Sequence, residues 1–156
     1  MGKDLIARLN DGPVICAEGY LFAMERRGYL QAGAFVPEVV LEHPEVLMQL
    51  HREFIRSGSD VVQAFTYYAH REKLRIIGKE DKLEALQKNA LKIAKDAANE
   101  FSDLDLMIAG NVGNTCVYDP NNKSTINECY KMFEENPGTQ TLCTTEPRTS
   151  DKRCLK

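Results

Sequence analysis

The chain has 156 residues, 43% of them hydrophobic and 28% charged, with a formal net charge of −3; that is the balance of one globular domain. The slight acidic excess offers no basic face for nucleic acid, and no apolar run approaches the ~20 residues of a membrane span. The opening MGKDLIARLN lacks the apolar core of a leader peptide, and Ile6 breaks the acylation pattern that its Met-Gly start begins, so a cytoplasmic protein is expected.

In chain order, Gly12-Pro13 introduces a short buried strand, residues 13–17, which halts at Glu18-Gly19 before a helix-like stretch. An acid and a glycine after a buried strand are either an ordinary turn or the rim of a ligand crevice, where a glycine lets the backbone approach a substrate. The pattern alone leaves both readings open. Residues 43–58, HPEVLMQLHREFIRSG, form an amphipathic helix: Pro44 suits the first helical position, Leu47, Leu50, His51, Phe54 and Ile55 share one face, and Gly58 stands where a helix closes. On that face His51 reads as a packed core histidine, while His43 reads as a helix-start cap.

Residues 60–66 read as a second strand, with Tyr67-Tyr68 just past it and His70 within reach of the same rim. A long helical region follows, its apolar stripe running Leu83, Leu86, Ala90, Ile93, Ala97; the charged set Lys79, Glu80, Asp81 and Lys82 reads as a solvated surface. A third strand over 104–109 ends in a polar, glycine-bearing loop, 110–114, and Ser124 or Thr125 caps a helix through Phe133. The domain is expected to span residues 1–136. Residues 137–156 have no period and read as a divergent, poorly ordered tail.

The order is β-α-β-α-β-α, with strand starts about 45 residues apart, and the strands alternate little, which argues for a parallel sheet covered on both faces. In such sheets ligands bind at the carboxyl ends of the strands. Those ends carry Glu18-Gly19-Tyr20, Thr66-Tyr67-Tyr68 and the 110–114 loop. The five cysteines are odd in number and include no C-x-x-C pair, so reduced thiols are expected.

Four stretches resemble the homocysteine-binding S-methyltransferase family, in its betaine-dependent branch: EGYLFAMERRGYLQAGAFVPE (18–38), EHPEVLMQLHREFIRSGSDVVQAFTYYAHREKL (42–74), ALKIAKDAANE (90–100) and LMIAGNVGNT (106–115). The resemblance implies an α/β fold of the parallel (β/α)8 barrel class. A closed barrel needs ~250 residues, so it implies a form cut to about the first three βα units. It also implies methyl transfer from a donor such as glycine betaine to the homocysteine thiol, giving methionine. In the family zinc holds the sulfur as thiolate through three cysteine ligands, drawn from an Asn-Cys and a Gly-Gly-Cys-Cys motif. Neither motif occurs here, so no metal ligands are assigned, zinc binding by this chain is not expected, and the chain alone is expected to be inactive.

The resemblance places homocysteine binding at Glu18, Gly19 and Tyr20. The family's aspartate falls at Ala17, and Glu18 takes the following glycine position. Donor binding is placed at Phe35, where the family has tryptophan, and at Tyr67 and Tyr68, the latter matching a family tyrosine; aromatic faces bind quaternary ammonium by cation–π attraction. Two other readings stand beside this one: a non-catalytic fragment that joins a full-length paralogue through its open third-strand edge, and a small βα protein that binds an anion at the 110–114 loop.

Overall fold

The structure, a computed structural model, describes residues 3–31, 38–111 and 113–134. Helix α1 (Leu5–Asp11) lies in the opening stretch that sequence reading treated only for what it lacks. The Asp4 carboxylate accepts from the Ala7 N–H at 2.8 Å, satisfying one of the amides that a helix start leaves open. Helices α2 (Tyr20–Arg26), α3 (Val39–Glu42) and α4 (Pro44–Arg56) follow, then strand β1 (Val61–Gln63), helix α5 (Arg71–Ile76), a 3₁₀ turn (Glu80–Lys82), helix α6 (Leu83–Asn99), strand β2 (Met107–Ala109) and helix α7 (Ser124–Glu134).

The sheet is parallel: β1 pairs β2 with Val61 opposite Met107 and Gln63 opposite Ala109. The expected first strand contributes one parallel bridge, Cys16 to Val61. The Ala17 N–H donates to the Val61 carbonyl at 2.9 Å, and the Asp60 carboxylate clamps the Ile15 N–H at 2.8 Å. The three segments therefore lie side by side in chain order, as βαβ units require.

All three are shorter than their sequence patterns suggested. Past Gln63, the Thr66 N–H turns back onto the Ala64 carbonyl, and the Leu104 N–H bonds to the Phe101 carbonyl, so Leu104 belongs to the turn that leaves α6. Apolar side chains continue through these turns, which is why the patterns ran long.

Helices α4 and α6 pack on each other and on the sheet, α3 lies against both, and α2 packs on α4. Leu47, Leu50, His51 and Ile55 of α4, and Leu86, Ala90, Ile93, Ala94 and Ala97 of α6, are buried. Val62 and Ile108 join this main core. Val61 and Met107 are also buried, on the opposite face by strand alternation, so both faces of the short sheet are covered. Gly58 (φ +97°) follows α4 in the left-handed region, and its N–H returns to the Ile55 carbonyl.

Charged pairs tie the elements together. Arg52 of α4 grips Glu100 beyond α6 with two bonds of 2.6 and 2.7 Å. Glu38, ahead of α3, accepts from both Lys79 (2.6 Å) and Lys82 (2.8 Å), which lowers its pKa, Lys79 contributing most. The set read as solvated surface is thus half engaged in a long-range contact. His43 precedes α4 without a side-chain capping bond; its carbonyl accepts from Val46 instead. The expected domain boundary at 136/137 and the tail lie outside the described residues. Among the described residues no helix is long and apolar enough to cross a membrane.

Candidate functional site

Parallel pairing in chain order puts the carboxyl ends of the three segments on one end of the sheet. The first end carries Ala17, Glu18 and Gly19. Ala17 is fully buried, and Glu18, the next residue, is exposed. Gly19 starts α2 in the left-handed region (φ +80°), a conformation that explains the glycine without any ligand.

Tyr20 turns inward. Its hydroxyl lies 3.0 Å from His51 Nδ1, and its ring meets His51 and Phe54 edge-on at 5.0 and 4.8 Å. Burial above all pushes the phenol pKa up, against a smaller opposing pull from the Gln63 backbone. Burial likewise holds His51 down at about 4, so the imidazole is neutral near neutrality. His51 is the packed core histidine expected, and Tyr20 is its partner, with its side chain in the core rather than on the rim.

The second end carries the aromatic pair. The rings of Tyr67 and Tyr68 stack with centroids 4.1 Å apart and planes inclined by 30°. The Tyr68 hydroxyl, then partial burial, raises the Tyr67 pKa. Tyr68 holds a left-handed backbone (φ +58°); a non-glycine residue there stores strain of about 1–2 kcal/mol, which the surrounding structure must impose. Above its ring, 4.4 Å from the centroid, sits the ammonium of Lys73, from the first turn of α5.

The third end meets the second. The Thr66 hydroxyl donates to the Asn111 carbonyl at 2.9 Å. A Cβ built on Gly113 would lie 3.9 Å from the His70 ring and 4.0 Å from the Tyr68 amide nitrogen. His70 is buried there, and neither ring nitrogen reaches a hydrogen-bond partner among the described residues. Burial first, then the nearby Lys73, holds His70 below the usual imidazole range. Beyond the 110–114 loop the Cys116 N–H donates to the Asn114 side-chain oxygen at 2.9 Å, so that amide is not free for an anion.

The structure therefore brings together Thr66, Tyr67, Tyr68, His70, Asn111 and Gly113. Tyr20 is turned into the core, and Phe35 lies outside the described residues. Sequence reading missed Lys73; its only signal was a cation five positions after a tyrosine, at the start of a helix.

Among the described residues no three His, Cys, Asp or Glu side chains converge to hold a metal. Cys129 Sγ lies 3.2 Å from the Thr115 hydroxyl, Cys116 bonds to the Asn114 carbonyl, and Cys16 is exposed on the bridge. The thiols among the described residues do not fit a three-cysteine zinc site. Cys143 and Cys154 lie outside the described residues.

Comparison with known proteins places this geometry. The family model described as Homocysteine S-methyltransferase matches residues 18–143. Betaine–homocysteine S-methyltransferase 1 of Bos taurus is 41% identical over 138 residues, which cover 85% of this chain and 33% of the bovine one. The Sus scrofa protein of the same name is 43% identical over 121 residues (74% of this chain, 42% of that one), and the Danio rerio protein 43% over 119 residues (74% and 29%). The chain thus spans less than half the length of each. In fold it is similar to the homocysteine methyltransferase MmuM of Escherichia coli: TM-score 0.59 and 24% identity to the metallated form, over 72% of this chain and 42% of that one. The oxidised form gives 0.61 and 23%, over 70% and 40%.

Proposed function

The chain belongs to the homocysteine S-methyltransferase family, and from that membership we propose that it carries the substrate-facing amino-terminal part of a betaine-dependent enzyme. The described elements correspond, in this reading, to the first three βα units of a (β/α)8 barrel. The reaction served is transfer of a methyl group from glycine betaine to the homocysteine sulfur, yielding methionine.

The observation that carries the reading is the stacked Tyr67–Tyr68 pair at the carboxyl end of β1, with a cation already seated on the Tyr68 face. A ring that holds an ammonium at 4.4 Å has the electrostatics to hold a trimethylammonium. Glu18 is exposed beside the first segment's end and offers a carboxylate to the homocysteine amino group, with Gly19 and the Tyr20 backbone adjoining it. The Tyr20 side chain is committed to His51. Zinc, which in the family stabilises the thiolate, has no ligand set among the described residues, so the chain alone binds donor without turning over.

The test is direct. Glycine betaine titrated into the purified chain shifts the Tyr67 and Tyr68 ring resonances, and Tyr68→Leu abolishes the shift at Tyr67. The same chain supplied with homocysteine, betaine and a zinc salt forms no methionine. Turnover by the isolated chain, or a Tyr68 ring indifferent to betaine, overturns the proposal.

A second reading, a non-catalytic fragment that joins a full-length paralogue, is favoured by one feature: α7 has no fully buried residue, and its Ile126 and Tyr130 are exposed.

A further inference from the structure

Tyr68 has two faces, and both are taken. Tyr67 stacks at 4.1 Å, and the Lys73 ammonium lies 4.4 Å from the same ring centroid. Two groups that close to one ring cannot share a face, so they occupy opposite ones. Resting on the donor reading of Tyr68 above, we propose that Lys73 is a built-in competitor: its ammonium occupies the face that a quaternary-ammonium donor needs, and it must swing away before the donor binds.

Two observations and one chemical argument carry this. First, the ring is what holds Lys73. Among the described residues it makes no ion pair, because the adjacent carboxylate of Glu72 is turned to Arg75 at 2.9 Å. Second, the ring is fixed while the lysine is not. Tyr68 is pinned by a left-handed backbone and by the stack on Tyr67, whereas Lys73 reaches it on a flexible four-carbon stem from α5. Third, the exchange favours the ligand. A primary ammonium is strongly hydrated and gains from returning to water, whereas a quaternary ammonium has no N–H to hydrate and loses less on entering an aromatic site. Two cations cannot occupy one face, so affinity for donor is set by how readily Lys73 leaves. The contact weakens apparent donor affinity by about 2–5-fold, the worth of a partly exposed ammonium–ring pair.

The experiment uses the full chain and two probes, tetramethylammonium and glycine betaine, followed by proton NMR. In the unliganded protein the Lys73 ε-methylene is shifted upfield by the ring, and Tyr68→Leu removes that shift. Saturating tetramethylammonium returns it to the ordinary lysine position. Lys73→Met, a partly exposed site that keeps the fold by circular dichroism, binds tetramethylammonium about 2–5-fold more tightly than the wild type. An unshifted ε-methylene in the free protein, or equal affinity in wild type and Lys73→Met, overturns the competitor role and leaves the donor reading intact. Weaker betaine binding in Lys73→Met with tetramethylammonium unchanged also overturns it, since Lys73 would then hold the donor's carboxylate. A persistent ε-methylene shift with no probe bound by either protein sinks the donor reading of Tyr68, and the competitor role with it.

Discussion

His51 sits among apolar side chains with Nδ1 on the Tyr20 hydroxyl and Nε2 buried without a partner among the described residues. Charging it inside the fold is costly, and its pKa falls from 6.5 to about 4 for that reason. Between those values the unfolded chain binds a proton that the folded chain refuses, so stability rises with pH through the window. The contribution is complete above pH 6.5 and is lost as pH falls toward 4, in all about 3 kcal/mol. His70, held down by burial and Lys73, acts in the same direction. The upper part of the window, above pH 4.5, lies clear of Glu38, whose lowered pKa removes stability only in more acid solution. Urea unfolding at closely spaced pH values should show this decline, and His51→Leu should flatten most of it. A wild-type stability constant from pH 7 to 4.5 would contradict the burial argument.

The same residues mark where sequence reading reached its limit at this scale. His51 was legible because its neighbours at helical spacing are apolar. Tyr20 was not: an aromatic after a strand end can face a crevice or a core, and only the turn at Gly19 decides which. Tyr67 and Tyr68 were legible as a pair, but Lys73 depends on α5 folding back over the ring, which no periodicity encodes.

At the scale of elements, α4 and α6 were readable because their stripes repeat over three or more turns and each repeat reinforces the last. Their partners were not. Glu38 meets Lys79 and Lys82 from 41 and 44 residues away, a pairing set by how α3 packs on α6 rather than by local charge pattern. The weaker junction in the sheet is the first segment, held to β1 by one bridge, its backbone bonds and the Asp60 carboxylate on the Ile15 amide. A carboxylate–amide bond of this kind contributes about 1–3 kcal/mol. Asp60→Ala should therefore speed hydrogen exchange at Ile15 and Ala17 by ten-fold or more while leaving α4 and α6 protected, the fold-change expected from about 1.4 kcal/mol or above. Asp60→Asn, which keeps an acceptor oxygen, should restore much of the protection. Uniform loss across the whole chain would show instead that Asp60 supports the core and not this one junction.

The whole molecule is defined by an edge. Met107 N–H and Ala109 C=O both bond toward β1 and Asp60, so the intervening Ile108 turns its backbone N–H and C=O the other way. No described strand receives them. Later in the chain, α7 exposes Ile126 and Tyr130, at 39% and 57%, which share one helix face by their spacing of four. The match covers about a third of these relatives' length, and a strand edge without a partner among the described residues, like an exposed apolar helix face, is a surface that another chain can complete. If the second reading holds, the purified chain should co-elute with a full-length family enzyme in size-exclusion chromatography. Replacing both Ile126 and Tyr130 by lysine should abolish co-elution while preserving helical circular dichroism, because neither side chain is buried in the chain by itself. Should the two proteins elute apart at every concentration, α7 is a solvated helix and the paralogue reading is lost; the donor reading, which depends on Tyr68 and not on α7, would stand untouched.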